Sequence, residues 1–177
     1  MFHLIEEKFG LLDVLINNAA FDKMESIENY DQELFEKIIK TNLIGKMLCI
    51  KNAIKLLRKS EYPSIINISS RLASKPMMNS SAYCCGAAGI VMLSECAALE
   101  LANDGIRVNT VSPSLTLTPL AQKSYTKTEI LATAKKSTRN RICEMKDVYN
   151  VVNFLISKEA DYINGENINI NGGLLLK

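Results

Sequence analysis

Four short apolar runs, separated by segments long enough to be helices, constrain the fold of this 177-residue chain more than any other feature. Their cores are rich in branched residues, and the run at 11–16 in particular is typical of a strand that is buried on both faces of a sheet. The runs lie at 11–16, 64–69, 106–111 and 167–170. Strands that alternate with helices are joined by right-handed crossovers. The sequence therefore predicts an α/β fold with a parallel sheet of about four strands and helices on both faces.

Helical spacing of apolar residues predicts the segments between the strands. The predicted helices are 2–9, 30–57 (one long helix or two consecutive ones), 81–103, 126–138 and 146–157. The chain has neither an internal repeat nor a low-complexity linker, so we expect one domain over residues 1–177. The least regular stretch, 117–128, lies between a strand and a helix, where α/β enzymes often carry a lid over a ligand.

Composition excludes several classes of partner. There are 21 Lys and Arg against 19 Asp and Glu, and a net charge of +2 does not favour nucleic acid or an anionic membrane. One His and five Cys without a C-x-x-C pair argue against a metal site. An odd cysteine count without a signal peptide indicates the cytoplasm. The longest apolar stretch, 87–102, contains two glutamates and is expected to be a packed helix rather than a membrane span.

Polar clusters follow three of the predicted strands. They are Asn17–Asn18, Ser69–Ser70 and residues 112–118, and ligands of open α/β sheets bind at this edge. Tyr83 begins the helix after the second strand, so chain geometry can bring it to the same rim as Ser70. A tyrosine and a serine that converge on one oxygen suit proton transfer to a carbonyl or from an alcohol. The alternative is that Tyr83 merely packs, with its hydroxyl in water.

Six motifs, in this order and spacing, resemble the short-chain dehydrogenase/reductase family. They are Gly10 with 13–20, Asn42-Leu43-x-Gly45, 66–70, 81–89, 107–109 with Ser112-Pro113, and Gly172-Gly173. The resemblance implies a partial Rossmann-like, doubly wound sheet that lacks the family's N-terminal region. It also implies an oxidoreductase that uses NAD or NADP and transfers hydride on a carbonyl, alcohol or enoyl substrate. The ending is similar to the 3-oxoacyl- and enoyl-acyl-carrier reductase branches, among others.

The resemblance also assigns roles to residues. Tyr83 matches the general acid/base, Ser70 the serine that binds the substrate oxygen, and Asn42 the asparagine that holds a proton-relay water. On the cofactor side, matches are found on the adenosine flank and in the stretch near the nicotinamide amide. These are Asn18, Ala19, Ala20, Pro113, Thr116 and Thr118. Family members pair through their long helices, which implies a homodimer or homotetramer acting on a small molecule.

Two departures from the family set the expected activity. The lysine that the family carries four residues after its tyrosine is Ala87 here, and neither Lys75 nor the helix after Tyr83 offers a substitute. Without a neighbouring cation, the pKa of Tyr83 is expected to stay near the free value of about 10. The glycine-rich turn that holds a pyrophosphate is also absent from these residues.

These departures predict that the chain as it stands is inactive. It would then be a truncated domain whose first strand, 11–16, forms an open sheet edge prone to pairing. The alternative is a degenerate relative that acts as an oligomerisation or binding module, in which case Ala87 serves helix packing.

Overall fold

The computed structural model describes residues 1–119, 121 and 125–176. Four parallel strands form one sheet in the order β1-β2-β3-β4, which confirms the predicted α/β class. The strands are β1 (Val14–Asn17), β2 (Ser64–Ile68), β3 (Arg107–Pro113) and β4 (Asn167–Ile170). Within the described residues β1 and β4 are the edges, so the expectation that the first strand lies at an edge is confirmed. Strand β1 begins three residues later than predicted, and β3 runs two residues further.

Six α-helices connect and cover the strands in the described part of the chain. They are α1 (Phe2–Phe9), α2 (Gln32–Ile39), α3 (Gly45–Leu57), α4 (Ser81–Glu100), α5 (Lys127–Lys136) and α6 (Met145–Leu155). The segment predicted as 30–57 is α2 and α3 joined by a π-helical turn, Lys40–Ile44. The helix predicted to reach residue 103 ends at Glu100 and continues as a 3-10 turn, Ala102–Asp104. Gly105 then reverses the chain at a φ of 68°.

Helices α3 and α4 cover one face of the sheet. Ile50 and Leu57 of α3 and Ala97 of α4 pack in one core cluster with Ile65 and Val108 from the two central strands. Burying these branched side chains contributes roughly 1.5–3 kcal/mol each, which makes this cluster the main source of stability.

Helix α6 covers only part of the opposite face. Leu155 packs against Ile66 of β2 and Val111 of β3, and Ile168 of β4 joins the same cluster. Ile16 of β1 lies beyond this helix and is 45% exposed. The prediction that the first strand is buried on both faces was therefore wrong, because α6 reaches β2, β3 and β4 but does not cover β1 in the described chain.

Helix α4 is the one described helix that is long and apolar enough to cross a membrane by length and composition. A helix that is packed in the core of a globular protein meets the same criterion of length and composition. Here Ala97 and Ala98 are buried against the strands, which fits the expected packed helix.

Candidate active site

A buried polar chain joins the first two strands to α4. The Asn17 amide donates to Asn67 Oδ1 at 2.8 Å, the Asn67 amide donates to Ser94 Oγ at 2.8 Å, and the Ser94 hydroxyl donates to the carbonyl of Ile90. Because buried polar groups are costly when unpaired, this network fixes how α4 sits on the sheet. Asn17 is thus engaged in structure, and its neighbour Asn18 faces the pocket.

The end of β2 is tied to α4 close to the predicted catalytic pair. Ser69 Oγ donates to the carbonyl of Ala87 at 2.8 Å. Ser70 Oγ accepts from the backbone N–H of Leu72 at 3.2 Å and so caps the short turn Arg71–Ala73. These two contacts bring Ser70 next to Tyr83, which lies in the first turn of α4.

The predicted site residues converge on a pocket of about 430 Å³ at the carboxyl ends of the strands. Every predicted residue except Asn42 lines it. They are Asn18, Ala19, Ala20, Ser70, Tyr83, Pro113, Thr116 and Thr118. A pocket therefore lies where the sequence predicts a ligand site, and its use and the role of each residue stay predictions. Of the predicted lid 117–128, residues 120 and 122–124 lie outside the described part of the chain.

The other lining residues include two charged ones that were not predicted, Asp22 and Arg71, and Tyr125 from the predicted lid 117–128. The Oδ1 atom of Asp22 is buried and has no hydrogen-bond partner, and burial raises the pKa of this carboxyl. An acidic residue five positions after the first strand, next to an aromatic one, gave no sequence signal that separates it from a surface residue.

Tyr83 is less acidic than the sequence alone predicts. Burial raises the pKa of Tyr83 to about 12, and the negative charge of Asp22 acts in the same direction. A hydrogen bond with Ser70 opposes the shift. At neutral pH the phenol is protonated, which is the form that can donate a proton to a carbonyl oxygen.

Asn42 lies behind the pocket rather than in it. Its amide donates to the carbonyl of Phe21 at 2.9 Å, and its Oδ1 accepts from the Phe21 N–H at 2.8 Å. A Cβ built at Gly86 would lie 3.0 Å from the Asn42 Cβ, so α4 and the π-helical turn approach closely here. Each group of the amide thus has one backbone partner, and the predicted role of Asn42 in holding a relay water stays a prediction. π-Helical turns are frequent at functional sites.

Lys46 is the residue that sequence reasoning missed. It lies in the first turn of α3, is 5% exposed, and donates from its ammonium to the carbonyl of Ile68 at the end of β2. A small second cavity is lined by both Lys46 and Tyr83, and by Ala87. The sequence-based search for a cation near Tyr83 considered Lys75 and the helix after Tyr83 and did not consider Lys46. The available signal was a lysine inside the apolar run 43–50, four residues after Asn42.

The family resemblance places the nicotinamide half of a dinucleotide in this pocket, and that placement stays a prediction. The pocket volume is in the range of small-molecule sites, and hydroxyls lie at the end of β3. Thr116 donates to the carbonyl of Ser114, and Thr118 accepts from the Ala121 N–H. The pyrophosphate half has no glycine-rich turn to receive it within these 177 residues. Among the described residues no group of three His, Cys, Asp or Glu could hold a metal ion.

Comparison with known proteins supports this geometry. The family model described as "Enoyl-(Acyl carrier protein) reductase" matches residues 1–175. The chain is 33% identical to the 3-oxoacyl-(acyl-carrier-protein) reductase FabG of Haemophilus influenzae, over 97% of this chain and 71% of that protein. The aldohexose dehydrogenase of Thermoplasma acidophilum is 31% identical and superposes with a TM-score of 0.95, over 99% of this chain and 72% of that one.

A gluconate 5-dehydrogenase from Burkholderia cenocepacia, solved with NADP and tartrate, shares the fold at 21% identity. Its TM-score is 0.93, over 98% of this chain and 68% of that one. The chain thus spans about 70% of the length of the relatives it matches. The sheet topology agrees with these matches, and the chain belongs to the short-chain dehydrogenase/reductase family.

Proposed function

We propose that this chain carries the substrate-binding and proton-transfer part of an NAD(P)-dependent oxidoreductase that interconverts a carbonyl and an alcohol. One observation carries the proposal. Ser70 and Tyr83 meet in a single pocket that also contains the stretch from Pro113 to Thr118. A proton donor and a second hydroxyl lie on one side of that space, and the residues that match the nicotinamide contacts line the same space.

The residues of the pocket divide the work. The Ser70 hydroxyl donates a hydrogen bond to the carbonyl oxygen and orients it. Tyr83 gives its proton to the same oxygen as the carbonyl is reduced, because the phenol is protonated at neutral pH. The nicotinamide, when bound, supplies the hydride to the carbonyl carbon. Pro113, Thr116 and Thr118, which line the pocket at the end of β3, would hold its carboxamide.

The substrate class is proposed from the relatives. The Haemophilus influenzae relative is named a 3-oxoacyl-(acyl-carrier-protein) reductase, and the Thermoplasma acidophilum neighbour is named an aldohexose dehydrogenase. We therefore propose short 3-oxoacyl thioesters as the first substrates to test and aldoses as the second. An enoyl thioester is the control that separates carbonyl reduction from double-bond reduction.

The purified chain is expected to bind the dinucleotide weakly. A pyrophosphate is usually held by backbone N–H groups of a glycine-rich turn at a helix N-terminus, and these 177 residues contain no such turn. We expect calorimetric titration with NADH and NADPH to give no saturation below millimolar concentration. At micromolar cofactor the chain should be inactive. Tight binding of either dinucleotide would contradict this expectation.

The proposal is tested at millimolar NADPH with product detection by mass spectrometry. Wild type should form the alcohol, and Tyr83→Phe should form it at least about 100 times more slowly, since general acid catalysis contributes roughly that much. Tyr149→Phe is the matched control, because Tyr149 is exposed on α6 away from the pocket. Equal rates for wild type and Tyr83→Phe would refute the role of this tyrosine.

A second candidate function rests on exposed apolar side chains of α3 and α4. Met47, Leu48, Met92 and Leu99 are all exposed large hydrophobics on these helices. An oligomerisation module that pairs these helices with a second copy would cover them. Light scattering should then give a dimer or tetramer, and Leu99→Lys should shift it toward monomer. An oligomer without product formation at millimolar NADPH would favour this function over the first.

A further inference from the structure

The environment of Lys46 is unusual for a lysine. Its side chain is buried between α3 and the end of β2, and the carbonyl of Ile68 accepts from one of its three N–H groups. Among the described residues no carboxylate pairs with the ammonium, and no acceptor is found for the other two N–H groups. A buried charge without a counter-ion costs several kcal/mol, so a merely structural role would be filled better by an apolar side chain.

A small cavity connects the surroundings of Lys46 with those of Tyr83. The two side chains line one cavity of about 10 Å³, together with Ala87. That volume is close to the minimum that holds one water molecule. Ala87 lies four residues after Tyr83, on the same face of α4, so its short side chain leaves the space beside the phenol to a group from another helix.

We propose that Lys46 is the proton reservoir of Tyr83, and that it supplies from α3 the ammonium that the family places at residue 87. This inference rests on the function proposed above. During reduction the Tyr83 O–H bond breaks and its proton goes to the substrate oxygen while hydride adds to the carbonyl carbon. The phenolate then takes a proton from the Lys46 Nζ through the water-sized cavity. The neutral amine regains its proton from solvent, and the reverse sequence serves alcohol oxidation.

Acidities support this direction of transfer. Burial alone lowers the pKa of Lys46 to about 8, whereas the pKa of Tyr83 is raised to about 12. A proton therefore moves downhill from the ammonium to the phenolate. Tyr83 on α4 is the other titratable group that lines the shared cavity, and the end of β2 and the loop at Ala20 contribute none. Asp22, Tyr125 and Cys84 act on Tyr83 rather than on Lys46.

The proposal is tested by steady-state kinetics on variants that remove the ammonium or move it to residue 87. Lys46→Met should lower kcat for reduction roughly 100-fold with little change in KM for the carbonyl substrate, as expected for loss of a proton-transfer group. The double variant Lys46→Met/Ala87→Lys puts the ammonium back from α4 and should recover most of the loss. In wild type, reduction should slow as pH rises through about 8 because the ammonium is lost, and Lys46→Met should abolish this step. An unchanged kcat and pH profile in Lys46→Met would overturn the proposal.

A second measurement does not depend on catalysis, so it can fail or succeed independently of the proposed function. NMR titration of 13C-labelled lysine, assigned with Lys46→Met, gives the pKa of Lys46 directly. In Ala87→Lys a second ammonium enters the same space and should lower the pKa of Lys46 by about one unit or more. Ala87→Met, of similar length without charge, should not lower it. If wild type makes no alcohol, the proposed function fails, but the NMR measurement still tests whether residue 87 and Lys46 share a site. An equal pKa of Lys46 in Ala87→Lys and Ala87→Met would show that residue 87 and Lys46 share no site, and would refute the inference.

Discussion

Two regions of this protein each bury a cation, and they do so in different ways. Lys46 is 5% exposed and Arg107 is 6% exposed, so both pay a similar desolvation penalty. Neither lies within ion-pair distance of a carboxylate in the described chain. What separates them is the number of partners that the surrounding backbone offers.

Arg107, at the start of β3, is surrounded by acceptors. Its Nη1 donates to the carbonyls of Leu155, Ala160 and Ile163 at 2.9, 3.1 and 3.5 Å, and its guanidinium lies 4.9 Å from the ring centre of Tyr62. Nη2 has no acceptor among the described residues. This arginine ties the end of α6 and the turn after it to the sheet, which is a structural task.

Lys46 has one carbonyl and an adjoining cavity. Tyr83 lines the same cavity. The comparison teaches that burial of a cation does not define its role. Three fixed backbone carbonyls hold Arg107, which ties elements of the fold together, whereas Lys46 has one carbonyl and borders a cavity that Tyr83 also lines.

The largest expected effect on stability is at Arg107. Arg107→Met leaves three carbonyls without their donor, and we expect it to lower the free energy of unfolding by about 3 kcal/mol in urea titrations. Lys46→Met removes an unpaired buried charge and leaves one carbonyl without a donor, so its unfolding free energy should stay within about 1 kcal/mol of wild type. Equal losses in the two variants would break the distinction between the two regions.

A smaller effect is expected where α4 meets the π-helical turn. A Cβ at Gly86 would lie 3.0 Å from the Asn42 Cβ, so Gly86→Ala must push the two elements apart. We expect a loss of about 1–2 kcal/mol in unfolding free energy and a wider gap between Lys46 and Tyr83. Ala88→Gly, at an exposed position of the same helix, measures the difference in helix propensity between Ala and Gly. If Gly86→Ala stabilised the protein by as much as Ala88→Gly destabilises it, the close packing would not constrain the site.

The smallest effect is expected at an exposed ion pair. Asp147 accepts two hydrogen bonds from Arg141, at 2.6 and 2.9 Å, and one from the Glu144 N–H at the start of α6. These contacts lower the pKa of Asp147 to about 2, chiefly through Arg141. The stabilisation is therefore present above pH 3.8 and is lost as pH falls through about 2. Asp147→Asn should cost about 0.5–1 kcal/mol at pH 7, after discounting for solvent screening, and nothing in strong acid. A constant difference between wild type and variant across this range would contradict the assignment.

The sequence predicts the sheet and the rim of the pocket well, because both follow from local patterns. Ser70 and Tyr83 are found from polar residues that follow an apolar strand and begin the next helix, and the structure places them together. Helix bounds shift by one to three residues, since capping at Asp31 and Thr126 decides them.

Tertiary contacts are what the local patterns miss. Lys46 and Tyr83 are far apart in sequence, and they line one cavity because α4 packs closely against the π-helical turn. Hydrophobic periodicity gives no signal for this packing. The exposure of Ile16 likewise depends on how far α6 extends across the sheet rather than on the composition of β1. The side chain of Asn42 is hydrogen-bonded to the backbone of Phe21, a partner that the position of Asn42 in a helix does not reveal.

The central claim is that Lys46 is a buried ammonium without a counter-ion that can give up its proton. The pH dependence of the unfolding free energy tests this claim most directly. In the folded chain the pKa of Lys46 is lowered from 10.5 to about 8, so the unfolded chain binds more protons between these values. The cost of burying the ammonium is fully present below about pH 8 and is relieved as pH rises to 10.5, which should raise the unfolding free energy of wild type relative to Lys46→Met by roughly 3 kcal/mol. A difference between the two proteins that stays flat from pH 7 to 10.5 would contradict the account.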